Sequence, residues 1–183
     1  AILSDYGYGA VEPGMLPRMR DVLGAKATLL ADSRYRLSEF VGLDGATPNE
    51  EEAEALLGAS IEDDADRLEQ AGRGLRERLG ARFLLITRGS RGMSLFRPEV
   101  SAHLPVSGTD QVADVTGAGD TVIGTFALAL AAGADPLEAA LLANYAGGVV
   151  VMKMGTATCS PEELRRAVES DPRPLEGMRW GWS

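Results

Sequence analysis

Cysteine is almost missing from this chain: Cys159 is the only one in 183 residues. A single cysteine cannot close an internal disulfide, which excludes a disulfide-stapled scaffold and favours a cytoplasmic setting. No base is signalled beside it, so it reads as a structural or incidental thiol rather than a nucleophile. Histidine is equally scarce, and His103 has no partner motif around it. It reads as a surface or half-buried residue of a strand or hairpin. Aromatic residues are only 5% of the chain, so Ala, Leu and Val must fill most of the interior. No apolar run reaches membrane-spanning length, and Ala1-Ile2-Leu3 gives way to Ser4-Asp5 rather than to an export signal. Basic residues are outnumbered 18 to 27, for a formal charge of -9. That balance argues against extended contact with nucleic acid or an anionic membrane, yet leaves room for a small local anion pocket. The first residue is not Met, so the chain reads as a fragment or processed product that opens on a strand.

What remains is enough for one domain with a substantial core. The 22 glycines follow no collagen period and fall at punctuation points. Strands are expected at 1–4, 27–31, 83–87 and 93–96. Helices are expected from Pro13 to Leu23, from Asp63 to Leu79, from Ala118 to Ala132, from Asp135 towards Val151, and after Pro161. Asn49 is a plausible N-cap of a further short helix, with Glu52 at the reciprocal position. Strands separated by helices predict a layered α/β domain. The stretch 171–183 reads as a tail, in which Trp180 and Trp182 pack on the body or on a partner.

The segment richest in chemistry is Asp114-Val-Thr-Gly-Ala-Gly-Asp120, set directly before an apolar helix. Small residues let backbone N–H groups approach an oxyanion, and a helix start favours negative charge there. An acid beside such a site is placed to take a proton from an attacking hydroxyl, and the pattern predicts phosphoryl transfer. The plainer alternative is that Asp120 only caps the helix. Asp32 ends a buried strand, where an acid reaches a crevice ligand or serves as a turn or cap residue.

From Asp5 to the helix after Ser160, the chain resembles the C-terminal part of carbohydrate kinases of the ribokinase (PfkB) type. It is most similar to bacterial heptose-7-phosphate kinases, whose domain often belongs to a bifunctional ADP-heptose synthase. The matching text, in order, is Ser4-Asp-Tyr-Gly, Ala31-Asp-Ser-Arg, Thr47-Pro-Asn-Glu-Glu-Glu, Thr87-Arg-Gly-Ser-Arg-Gly, Asp114-Val-Thr-Gly-Ala-Gly-Asp, and the run from Asn144 to Ala157. The resemblance implies a ribokinase-like sheet flanked by helices over 1–170, without the N-terminal portion and lid of such enzymes.

The resemblance also assigns roles. Asp120 becomes the catalytic base, with the backbone of Gly117, Ala118 and Gly119 as anion hole. Asn49 and Glu52 support magnesium and phosphate geometry, although capping alone explains the pair equally simply. Thr87, Gly89 and Gly92 form the nucleotide-side turn, whose plainer reading is a tight hairpin. Asp32 approaches nucleotide phosphate, together with Arg34. Asn144 and Gly148 sit near adenine; otherwise Asn144 must find another polar partner, since burying it unpaired is costly. Asp114 and Thr116 form part of a potassium loop, completed by carbonyls near Val150, Lys153 and Gly155. The implied chemistry is ATP- and magnesium-dependent phosphorylation of a sugar hydroxyl, here the anomeric one of a sugar 7-phosphate. The implied partners are a small phosphorylated sugar and either a second copy or a separate N-terminal portion. The alternative is a truncated or split nucleotide-binding subunit without catalysis of its own.

Overall fold

The computed structural model describes residues 1–108 and 112–182; Ser183 and the side chain of Trp182 fall outside the described residues. The strands are β1 (Ile2–Asp5), β2 (Leu30–Ser33), β3 (Gly45–Ala46), β4 (Phe83–Thr87), β5 (Met93–Phe96), β6 (Val100–Leu104) and β7 (Arg179–Trp182). The helices are α1 (Met15–Leu23), α2 (Glu50–Leu57), α3 (Ala65–Leu79), α4 (Ala118–Ala131), α5 (Pro136–Val151), α6 (Pro161–Ser170) and α7 (Arg173–Glu176). The strands are ordered β1 to β7 across one sheet. The chain divides into two compact units, the first holding residues 1–87, 95–101 and 181–183, the second 88–94 and 102–180.

The first unit is built on four parallel strands. Ile2 pairs with Leu30, Leu30 with Gly45 and Gly45 with Phe83, so all four carboxyl ends point the same way. The second strand begins at Leu30 rather than at Ala27, because its ladder starts only where β1 offers Ile2 as a partner. Helix α3 buries Leu68, Gly72, Leu75 and Leu79, one face at helical spacing. Asp64 caps it through the N–H groups of Asp66 and Arg67. These leucines join Leu29, Leu84, Ile86 and Phe96 in one core, each worth roughly 1.5–3 kcal/mol when fully buried. A Cβ on Gly72 would stand 2.2 Å from the Phe96 ring, so glycine is what lets that ring lie on α3.

The second unit is dominated by α4 and α5, whose small residues permit a close approach. A Cβ on Gly147 would come 3.1 Å from Val122 Cγ2. Asp135 and Ser160 open α5 and α6 with reciprocal capping boxes, closed by Glu138 and Glu163, and Pro136 and Pro161 stand just inside each helix. Residues 171–182, expected as a tail, carry α7 and β7. His103 is half-buried in β6 and meets the buried Ser94 hydroxyl at 2.9 Å through Nδ1. No helix among the described residues is long and apolar enough to cross a membrane.

Candidate functional site

In the first unit, parallel strands bring the expected residues to one edge. Asp32 lies near the end of β2, Asn49 follows β3, and Thr87 ends β4. Asn49 and Thr87 form a parallel bridge, and the Thr87 N–H donates to the Pro48 carbonyl at 3.0 Å. Open α/β sheets bind ligands outside the carboxyl ends of their strands, and this is such an edge.

Asn49 caps α2 as expected. Its Oδ1 accepts from the Glu52 N–H at 2.8 Å, and Glu52 Oε2 accepts from the Asn49 N–H at 3.0 Å. Burial pushes the Glu52 carboxyl above its ordinary range, against the Asn49 N–H and the charge of Arg34, which pull it down. Among the described residues no three His, Cys, Asp or Glu side chains gather as a metal cluster. A magnesium ion here would therefore rely on few protein oxygens, water and phosphate, which is how that ion is commonly held.

One polar group at this edge escaped the sequence reading. Thr47 is 6% exposed, and its Oγ1 is buried without a hydrogen-bond partner among the described residues. A buried hydroxyl left unpaired costs about 1–3 kcal/mol, so the edge fits a polar ligand or water that would satisfy it. Its only signal in sequence is its place directly before Pro48-Asn49.

In the second unit, Gly117 adopts φ 79 and forms the N-cap of α4 with no side-chain cap bond. Asp120 stands exposed on the first helical turn. The Ala118 N–H donates to the Val115 carbonyl at 3.1 Å, so an anion cradle draws first on Gly117 and Gly119. Asp114 ties two loops together: Oδ1 accepts from the Thr116 N–H at 2.9 Å, and Oδ2 accepts from the Gly155 N–H at 3.0 Å. The Thr116 N–H above all, with that of Gly155, holds the Asp114 carboxyl below its ordinary range. The Val151 carbonyl accepts from the N–H groups of Ala113 and Asp114, so residues 113–116 and 150–155 are neighbours.

The remaining nucleotide-side residues have structural work of their own. Asn144 is 3% exposed, and its Nδ2 donates to the Pro105 carbonyl at 2.7 Å. It thus has the polar partner that its apolar helix demands. One turn on, a Cβ at Gly148 would stand 2.6 Å from the Ser107 carbonyl oxygen. This face of α5 therefore closes against 105–108, beside a cavity of about 520 Å³ lined by Ser107, Gly148, Met152, Arg166 and Asp171. Asp171 accepts from the Ser107 hydroxyl and the Gly108 N–H, each at 3.0 Å. Gly92 adopts φ 81, and a Cβ there would come 2.0 Å from the Leu104 carbonyl oxygen. The backbone angle and the strand contact each favour glycine there. Gly89, at φ 55, faces open space.

Comparison with known proteins accords with this geometry. The family described as pfkB family carbohydrate kinase matches residues 17–163. The chain is 44% identical over 180 residues to Bifunctional protein HldE of Methylococcus capsulatus, covering 96% of this chain and 37% of that protein. It therefore spans little more than a third of the length of such relatives. Arabidopsis thaliana ribokinase complexed with ribose and ATP superposes with a TM-score of 0.70 at 26% identity, covering 78% of this chain and 47% of that one. Escherichia coli phosphofructokinase-2 in complex with potassium gives 0.74 at 21% identity, over 87% and 52%. The ribokinase-like α/β fold expected from the sequence is the fold of these neighbours.

Proposed function

The chain belongs to the pfkB family of carbohydrate kinases, and from that premise we propose that it transfers the γ-phosphoryl group of ATP to a sugar hydroxyl. The observation that carries this reading is the start of α4, where Gly117 turns the chain at φ 79 and Asp120 stands exposed on the first turn. Asp120 accepts the proton of the attacking hydroxyl as the new O–P bond forms and the bond to the departing ADP breaks. The amides of Gly117 and Gly119 meet the charge spread over the transferring group, Ala118 joining them only if its N–H leaves the Val115 carbonyl, and the helix end favours that charge. Asp32, Thr87, Gly89 and Gly92 belong to the nucleotide side, with Asn144 and Gly148 shaping the wall towards the base.

Magnesium, when bound, neutralises charge between the phosphates; Asn49 and Glu52 are the residues that would hold it, and the unpaired Thr47 hydroxyl supports a polar occupant there. Asp114 and Thr116, with the 150–155 loop, would hold potassium. The acceptor is a phosphorylated sugar, and the ordered motifs favour the anomeric hydroxyl of a heptose 7-phosphate, hence a place in ADP-heptose synthesis in the cytoplasm. Acceptor binding is completed by an N-terminal portion or a second copy. A nucleotide-binding subunit without catalysis is not favoured, since the family shared is one of kinases.

Calorimetry of the folded chain with ADP and magnesium tests this reading. Saturable binding that weakens when magnesium is withheld is the expected result; no binding of nucleotide would end the proposal.

A further inference from the structure

A buried hydroxyl without a partner stands just past the end of β3. Thr47 is 6% exposed, and its Oγ1 is shut off from solvent with no hydrogen bond among the described residues. Buried polar groups in folded proteins are paired with few exceptions, and each exception calls for a cause. The strand ends on the other face of this sheet show the ordinary case. Asp5, 4% exposed, accepts from the Ser33 hydroxyl at 2.9 Å and from the Arg36 guanidinium at 3.3 Å.

Register decides which way Thr47 faces. Gly45 pairs with Phe83 and Ala46 with Leu84, and Asn49 still bridges Thr87, so the ladder with β4 runs past Thr47 without a slip. On the other side Leu30 pairs with Gly45 and Ala31 with Ala46, and the Thr47 N–H donates to the Ala31 carbonyl at 3.3 Å. The next step of that register sets Thr47 beside Asp32. Side chains alternate between the two faces of a sheet. Leu3, Ala31, Ala46, Leu84 and Ile86 accordingly share one face, and all five belong to the same core. Asp32, Thr47 and Thr87 fall on the opposite face, at the carboxyl ends of three neighbouring strands spaced about 4.8 Å apart. Thr47 is the middle member of that row.

The groups around it are rich in acceptors. Asp32 and Glu52 carry carboxyl groups, and the Asn49 Oδ1 already accepts from the Glu52 N–H. A magnesium–phosphate group suits such a corner, since it offers a cation to the carboxyl oxygens and its own oxygens to a donor. A threonine hydroxyl is a neutral donor, and its bond to a charged oxygen is stronger than a neutral one. We propose that Thr47 is a nucleotide-binding residue whose Oγ1–H donates to an oxygen of the bound magnesium–phosphate group. The hydroxyl is thus unpaired in the free chain and paired in the complex. This inference rests on the kinase reading above and adds a buried donor to an edge otherwise rich in acceptors.

Calorimetry with ADP and magnesium on the parent chain, Thr47→Val and Thr47→Ser tests it, alongside thermal unfolding of the nucleotide-free proteins and phosphorus NMR of bound ADP. Valine keeps the branched shape and removes only the hydroxyl. Because that hydroxyl makes no bond in the free chain, nucleotide-free Thr47→Val should unfold at or above the parent's temperature. Its affinity for magnesium–ADP should nevertheless fall about tenfold or more, and a phosphorus resonance of the bound ADP should shift. Thr47→Ser keeps the donor and should bind within about threefold of the parent. A Thr47→Val protein that binds as the parent does would overturn the assignment, as would a serine variant that fails like valine. An affinity loss that leaves every phosphorus resonance in place would overturn it too. So would a lower unfolding temperature of nucleotide-free Thr47→Val, which would make the hydroxyl the partner of a resident water. A parent that binds ADP while Thr47→Val matches it defeats this inference alone; a parent that binds no ADP defeats the kinase reading beneath it.

Discussion

Replacing Gly148 with alanine should destabilise the protein even though alanine is the better helix former. Gly148 lies inside α5, where the propensity gain from Gly to Ala is about 1 kcal/mol. Against that gain, the new Cβ would stand 2.6 Å from the Ser107 carbonyl oxygen and 3.0 Å from its carbon. Those atoms are backbone and cannot turn aside as a side-chain tip would. Overpacking costs roughly 1–3 kcal/mol, and a clash with immovable backbone sits at the upper end, about 2–3 kcal/mol, so the net change is a loss of about 1–2 kcal/mol. For a chain of this size, that lowers Tm by about 2–8 °C. Gly124 supplies the control: it is also inside a helix, α4, but a Cβ there meets nothing within 4 Å. Gly124→Ala should raise stability by up to about 1 kcal/mol. Thermal and urea unfolding, followed by circular dichroism, compare the two variants. A Gly148→Ala protein as stable as Gly124→Ala would refute the close seating of α5 on 105–108, and with it the wall assigned to the nucleotide side.

Asn144→Leu removes the buried donor to the half-buried Pro105 carbonyl and should cost about 1–3 kcal/mol in urea unfolding. Unchanged stability with weakened ADP binding would mean instead that the amide serves the nucleotide alone. Lys153, 2.7 Å from Glu163, together with the Ser160 N–H, lowers the Glu163 carboxyl from 4.5 to about 2. A depressed carboxylate stabilises the fold above its unfolded pKa, and that contribution fades as pH falls from 4.5 towards about 2. In Lys153→Met, carbon-detected NMR should show Glu163 titrating closer to 4.5; an unmoved midpoint would remove Lys153 as the cause.

Local chemistry made much of the fold legible. The Asn49–Glu52, Asp135–Glu138 and Ser160–Glu163 pairs mark helix starts through bonds only three residues long, which a sequence displays directly. The all-apolar stretch Phe83–Ile86 names a buried parallel strand for the same reason. What stayed hidden depends on partners far along the chain. Asp5 drew no structural role because Arg36, which makes it a buried anchor, is 31 residues away. Asn144 posed a problem whose solution, Pro105, lies 39 residues earlier. Gly92 suggested a phosphate turn, and its close contact with the Leu104 carbonyl, a second reason for glycine there, lies 12 residues further on. Thr47 drew no role because an unsatisfied hydroxyl becomes visible only once its surroundings are folded.

The central claim is that Asp120, on the first turn of α4, takes the proton in phosphoryl transfer. Its most direct test compares the parent chain with Asp120→Asn, reading ATP-dependent formation of phosphorylated sugar alongside calorimetric ADP binding. The account predicts that the variant binds ADP within about twofold of the parent and loses transfer by about 10²–10⁴-fold. An Asp120→Asn protein that turns over as the parent does would contradict it.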